Sequence, residues 1–132
     1  MSERAVLFVD GACSGNPGPA GVGFVLKKGE SNKEFSKYIG IATNNVAEYL
    51  SLTYGLQEAI FSGIKEIEVK SDSQLLVNQI NGLYKIRNEN LRIFFDLNKH
   101  LISAFKSFKI EYVPREYNKE ADKLASGAVI NR

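Results

Sequence analysis

Residues 5–9 form an unbroken apolar run, Ala5-Val6-Leu7-Phe8-Val9, that stops on Asp10-Gly11. Five apolar residues are too few for an ordinary helix and read as a central strand buried on both faces. Such a strand needs neighbours beside it and cover above and below it. Two alternating segments follow. Residues 20–28 place Val22, Phe24 and Leu26 on one face, and residues 33–41 make a hairpin partner through Lys28-Gly29-Glu30-Ser31-Asn32.

After Thr43-Asn44-Asn45 the apolar spacing lengthens to three or four residues, with Val46, Tyr49, Leu50, Thr53, Leu56 and Ile60 in phase and Gly63 as the natural stop. Lys65 to Lys70 alternates, with Ile67 and Val69 inward. A short helix is predicted over Gln74–Ile80. A longer one is predicted over Asn90–Phe105, with Leu91, Phe94, Leu97, Leu101, Ala104 and Phe105 as its stripe. Phe108, Ile110 and Tyr112 mark a last strand closed by Pro114, and residues 119–129 fit a final helix. The order is β-β-β-α-β-α-α-β-α. The first three strands form an antiparallel meander, and a right-handed crossover sets the first and fourth strands parallel. The expected fold is α/β, a mixed sheet with helices on both faces.

At 132 residues the chain suits one domain, residues 1–132, that buries enough surface to need no disulfide or metal staple. Its single cysteine, Cys13, excludes an internal disulfide and a cysteine-based zinc site. No apolar run approaches the ~18 residues of a membrane span. Met1-Ser2-Glu3-Arg4 leads straight into the first strand with no signal peptide. The expectation is a cytoplasmic protein with no membrane association. Charge is uneven but weak: residues 1–60 hold five basic and six acidic side chains, residues 61–132 twelve and nine. That balance does not announce nucleic-acid binding by itself.

Acidic residues carry the functional signal. Asp10 ends the first strand and Asp72 lies just past the fourth. Parallel neighbours ~4.8 Å apart bring both to one sheet end, where open α/β sheets place their ligands. Glu48 lies one turn into the helix after Thr43, and Asp122 one turn into the last helix. Each has a local explanation. Asp10-Gly11 is a common turn dipeptide, Glu48 could close a capping box with Asn45, Asp72 could cap the helix at Gln74, and Asp122 suits a helix N-terminus. Together, four uncompensated carboxylates are costly, and no Lys or Arg of these segments is obviously placed to offset them. Hard divalent cations, Mg²⁺ or Mn²⁺, would. Two-metal sites carry in-line phosphoryl displacements with no Ser, Cys or Lys nucleophile.

Four segments in order, Asp10-Gly-Ala-Cys-Ser-Gly-Asn-Pro-Gly-Pro-Ala-Gly-Val-Gly23, Thr43-Asn-Asn-Val-Ala-Glu48, Ser71-Asp-Ser-Gln-Leu-Leu-Val-Asn-Gln-Ile80 and Asn118-Lys-Glu-Ala-Asp122, resemble the type 1 ribonuclease H family from residue 5 to about residue 125. The resemblance implies a five-stranded mixed sheet of order 3-2-1-4-5. It implies cleavage of the RNA strand of RNA/DNA hybrids to 5′-phosphate and 3′-hydroxyl ends by two Mg²⁺ ions, with Mn²⁺ as a substitute. Asp10, Glu48, Asp72 and Asp122 match the metal-binding catalytic carboxylates. Gly11, Asn16, Thr43, Asn44, Asn45 and Gln74 match substrate positions. Amides read 2′-hydroxyls and base edges without selecting a sequence. Glu48 also matches an acceptor for a 2′-hydroxyl, and Thr43 with Asn16 a pocket for a DNA-strand phosphate. Local capping explains Thr43, Asn44 and Asn45 equally well. A P-loop is rejected, because Gly15-Asn16-Pro17-Gly18-Pro19 lacks its Lys and Ser/Thr.

Two departures stand out. The loop Val113–Lys119 holds Arg115 where many members have a histidine, and arginine cannot act as a base. A role in product release is expected for it. His100, the only histidine, reads as a surface or structural residue, and Cys13 as a packing residue. The connection Asn81–Glu89 lacks the basic, Trp-containing handle of many relatives and offers only Lys85, Arg87 and Tyr84. Weak, distributive hybrid binding with a shallow salt slope follows. The expected partner is an RNA/DNA hybrid bound by a monomer, with double-stranded RNA left open. Two other classes remain: a hybrid-binding module without chemistry, and another nuclease of the superfamily such as a junction resolvase. The intact quartet argues against the first, and the Thr43-Asn44-Asn45 and Ser71–Gln74 segments against the second.

Overall fold

The apolar run lies inside a ten-residue strand, β1 (Arg4–Cys13), that continues through Asp10-Gly11 instead of turning there. The computed structural model describes residues 4–132, so the expected run-in through Met1, Ser2 and Glu3 lies outside the described residues. β1 pairs antiparallel with β2 (Gly18–Lys28), which pairs antiparallel with β3 (Ser31–Ala42). Helix α1 (Asn44–Phe61) leads to β4 (Glu66–Ser71), parallel to β1. Helices α2 (Gln74–Ile80) and α3 (Glu89–Ile102) precede β5 (Ser107–Tyr112), parallel to β4. A 3-10 turn at Arg115–Tyr117 opens α4 (Lys119–Ile130). The sheet order is β3-β2-β1-β4-β5, as expected. Among the described residues no helix is long and apolar enough to cross a membrane.

Glycines set how closely the helices approach. A Cβ on Gly55 of α1 would come within 2.7 Å of Leu7 Cδ2, and Cβ atoms on Gly21 and Gly23 within 2.6 and 2.5 Å of α4 backbone. Gly21 and Gly23 therefore face α4, and Leu7 faces α1, which puts helices on both sides of the sheet. Leu7, Leu52 and Leu56 are fully buried between β1 and α1, each contributing about 1.5–3 kcal/mol of transfer free energy. Thr43, Ser73 and Asn88 cap α1, α2 and α3 by accepting from Val46, Leu76 and Asn90 N–H groups.

Three expectations change. β1 is fully buried only at Ala5, Leu7, Val9 and Asp10. Val6 and Phe8 are half-buried, and the Lys27 ammonium lies 5.4 Å from the Phe8 ring. The buried face of α1 includes a ladder of small residues, Ala47, Ser51, Gly55 and Ala59, whereas Ile60 is partly exposed. Small side chains every fourth residue let the helix lie close on the strand, and a search for large apolar residues overlooks them. Helix α3 stops at Ile102, leaving Ala104 exposed outside it. Its deepest residue is polar. Asn98 donates to the Phe94 and Tyr49 carbonyls at 2.9 and 3.3 Å and lies 3.1 Å from Thr53 Oγ1.

Candidate active site

The β1–β4 ladder ends at Val9 opposite Ser71, so the next residue of each strand, Asp10 and Asp72, stands at the same level where the two strands part. Asp10 is opposite Gly23, which places it on the α4 face. Glu48 arrives from the other face. It can do so because Gly11 has no side chain: a Cβ there would lie 2.5 Å from the Ala47 carbonyl carbon and 2.6 Å from Glu48 N. The Gly11 N–H donates to Glu48 Oε1 at 3.0 Å and fixes the carboxylate. One oxygen from each of Asp10, Glu48 and Asp72 falls within 4.8 Å of the others. Asp122, in the first turn of α4, lies close enough for its carboxylate to act on Asp10, outside the group of three.

The local explanations fail for Asp10, Glu48 and Asp72, whereas Asp122 does lie in the first turn of α4, where the helix dipole favours an acid. Asp10-Gly11 is strand, not turn. Helix α1 is capped by Thr43, which leaves Glu48 outside any capping box, and α2 is capped by Ser73, which leaves Asp72 unused as a cap. Electrostatics show the cost. Burial, then the charges of Glu48 and Asp72 and the contact with Asp122, push the Asp10 carboxyl far above the ordinary carboxylate range. Burial and the Asp72 charge raise Glu48, although the Gly11 N–H pulls it back. A proton on Asp10 thus does in the bare protein what a cation would do. The donors are all carboxylate oxygens, a set that fits a hard divalent ion. One counter-charge escaped the sequence reading. Arg115 Nη2 lies 3.6 Å from Asp122 Oδ1, but the arginine is 78% exposed and offsets little.

The amides predicted from the sequence at Asn16, Asn44 and Asn45 hold one another through hydrogen bonds. Asn16 Oδ1 accepts from Asn44 N–H, Asn44 Oδ1 from Asn45 N–H, and Thr43 Oγ1 from Val46 N–H. Asn16 and Asn44 are exposed, as is Gln74 at the start of α2. Capping and an outward amide surface coexist here. Beyond Asn45 a groove of about 600 Å³ runs along Leu75, Leu83, Tyr84, Lys85 and Arg87. Tyr84 is half exposed at its edge, not a core residue. His100 is exposed on α3. The Cys13 thiol donates to the carbonyls of Gly15 and Ala42, a packing contact.

A family model described as reverse transcriptase-like matches residues 8–128. The crystal structure of ribonuclease H1 from the halophilic archaeon Halobacterium salinarum superposes with a TM-score of 0.94 at 39% identity, covering 98% of this chain and 99% of that one. The chain belongs to the ribonuclease H family. LC11 ribonuclease H1, solved in complex with an RNA/DNA hybrid, matches with a TM-score of 0.90 at 36% identity over 96% of this chain and 97% of that one. A bifunctional protein of Mycobacterium tuberculosis is 40% identical over 96% of this chain. The chain spans 35% of the length of that curated relative and 64% of the ribonuclease HI of Halobacterium salinarum.

Proposed function

We propose that this protein is an endoribonuclease that hydrolyses the RNA strand of RNA/DNA hybrids, leaving 5′-phosphate and 3′-hydroxyl ends. The observation that carries the reading is the convergence of Asp10, Glu48 and Asp72 within 4.8 Å, in a chain of the ribonuclease H family. The relative solved with an RNA/DNA hybrid supports the substrate. Asp10, Glu48, Asp72 and Asp122 hold two divalent ions, Mg²⁺ in the working enzyme and Mn²⁺ as a substitute. When bound, such ions supply an activated water and stabilise the leaving oxygen of an in-line displacement. The residues of the chain do the rest. Gly11 keeps Glu48 oriented through its N–H and leaves Glu48 Oε2 for the ions or a 2′-hydroxyl. Asn16, Thr43, Asn44, Asn45 and Gln74 face the minor groove of the hybrid and hold its backbone without reading sequence. The same reading takes the protein as a cytoplasmic monomer.

The test uses one end-labelled RNA, presented single-stranded, paired with DNA and paired with RNA, in EDTA, Mg²⁺ or Mn²⁺. Cleavage of the hybrid alone, dependent on metal, is expected. Hybrid binding without cleavage in any lane would replace this reading with a binding module, and cutting of a DNA four-way junction would replace it with a resolvase.

Two expectations concern the substrate side. Lys85 and Arg87 edge the groove beyond Asn45 and take the place of a larger basic handle. The double variant Lys85→Ala/Arg87→Ala should weaken hybrid binding and flatten the log–log salt slope by up to about 2, one phosphate contact per cation. An unchanged slope would remove the groove from the binding surface. Arg115, exposed beside Asp122, is assigned to product release. Arg115→Ala should slow steady-state turnover several-fold more than single-turnover cleavage. Equal effects on both would move the arginine to the chemical step or to binding.

A further inference from the structure

We propose that Asn118 is a positioning residue that sets the Asp72 carboxylate against Asp10 and thereby tunes how tightly the site takes divalent cations. This rests on the two-metal reading above. Asn118 is the N-cap residue of α4, yet its side chain makes no capping bond, unlike Thr43, Ser73 and Asn88 at the other helices. Asparagine is among the best capping residues, so the diversion is a departure from what the helix alone favours. The side chain instead turns inward and is 1% exposed. Its Nδ2 donates to the Val9 carbonyl at 2.9 Å and to Asp72 Oδ1 at 3.4 Å.

These two acceptors sit on either side of the site. Val9 precedes Asp10, and its ladder partner Ser71 precedes Asp72. One amide group therefore ties the backbone beside the first carboxylate to the second carboxylate, just where the ladder ends. The main chain of Asn118 adds a third link: its carbonyl accepts from the Asp122 N–H at 3.1 Å. The orientation of the amide is fixed by chemistry, since both neighbours are acceptors and only the NH₂ end can face them. The consequence is visible at the other end. Asn118 Oδ1 is buried with no hydrogen-bond partner among the described residues. Buried polar atoms are almost always partnered, so a packing role alone does not explain an orphan oxygen. Asn118 serves the carboxylate cluster as a partner of one ligand, not as a ligand. Such partners change metal affinity or activity by about 10–100-fold.

The experiment compares wild type, Asn118→Ala and Asn118→Asp by calorimetric Mn²⁺ titration, steady-state hybrid cleavage and thermal melting in EDTA. Asn118→Ala is expected to weaken Mn²⁺ binding about tenfold and to lower kcat, with KM for the hybrid within about twofold. Asn118→Asp keeps the size and the capping preference but replaces the donor with an acceptor. It should lose at least as much kcat. If Asn118→Asp turns over like wild type, or Asn118→Ala changes only the melting temperature, Asn118 is structural and the inference falls. Should Asn118→Ala fail to fold, the Asp variant decides. A wild type that neither binds Mn²⁺ nor cuts hybrid would remove the proposed function itself, and this inference with it.

Discussion

Asp10→Asn is expected to abolish hybrid cleavage while making the metal-free protein more stable. The two effects have one cause. Asp10 is 4% exposed, with Glu48 and Asp72 oxygens within 4.8 Å and the Asp122 carboxylate acting on it as well. An asparagine amide has the same shape and no ionised form, so it escapes both burial and repulsion, and its NH₂ donates to the flanking carboxylates. A rise of at least about 4 °C in melting temperature in EDTA is expected, roughly 1 kcal/mol at this chain length. The same change removes a charged ligand from the middle of the cluster. A bound ion supplies several kcal/mol of stabilisation to developing charge, and 1.36 kcal/mol is tenfold in rate. A loss of about 10³-fold or more in kcat/KM follows. Cleavage rates and melts on one preparation check both halves. An inactive but less stable variant would make Asp10 a structural partner, and an active one would take it out of the metal set.

What could be read from the sequence follows from where the constraint lies. The succession of strands and helices and the convergence of Asp10, Glu48 and Asp72 were legible because each is written locally, as an apolar run, a change of period, an acid beside a strand end or one turn into a helix. The full sheet order came instead from the family resemblance. Thr43 was legible as a cap, whereas the sequence offered Asp72 as the cap that Ser73 provides; by capping α1 and α2, Thr43 and Ser73 leave Glu48 and Asp72 uncommitted. Close approach was not legible. Gly11 matters because α1 passes 2.5 Å from where its Cβ would be, and the residues that allow this are the small ones, Ala47, Ser51, Gly55 and Ala59. Small residues carry no hydrophobic period to detect. Long-range polar choices were equally hidden. Nothing local tells Asn118 to forgo its cap for Val9 and Asp72, Asn98 to bury itself against Tyr49 and Thr53, or Arg115 to reach Asp122. These contacts exist only after the elements have docked.

The second large effect is a stability that depends on pH in opposite ways with and without metal. Asp10 and Glu48 are both held above the ordinary carboxylate range in the fold, by burial first and by neighbouring acids next. In the unfolded chain they ionise near 4. Above that value the unfolded chain has released protons the folded protein still binds, so unfolding releases protons and stability falls as pH rises. The fall begins near pH 4 and continues until the raised folded groups themselves ionise. These two carboxyls therefore favour the bare protein in mild acid and disfavour it at alkaline pH. A divalent ion reverses the balance. It binds the ionised carboxylates, competes with the proton on Asp10 and has no assembled site in the unfolded chain. Its stabilisation at 100 times its dissociation constant is about 2.7 kcal/mol, or about 8–13 °C at this chain length. The increment should grow from pH 6 to pH 9, because fewer protons then compete. Melting curves across that range in EDTA and in excess Mg²⁺ or Mn²⁺ measure it. Asp10→Asn should show a smaller increment and a flatter pH dependence in EDTA, since one of the two shifted carboxyls is gone. An increment equal at pH 6 and pH 9, or equal in wild type and Asp10→Asn, would mean that the ions bind elsewhere on the protein.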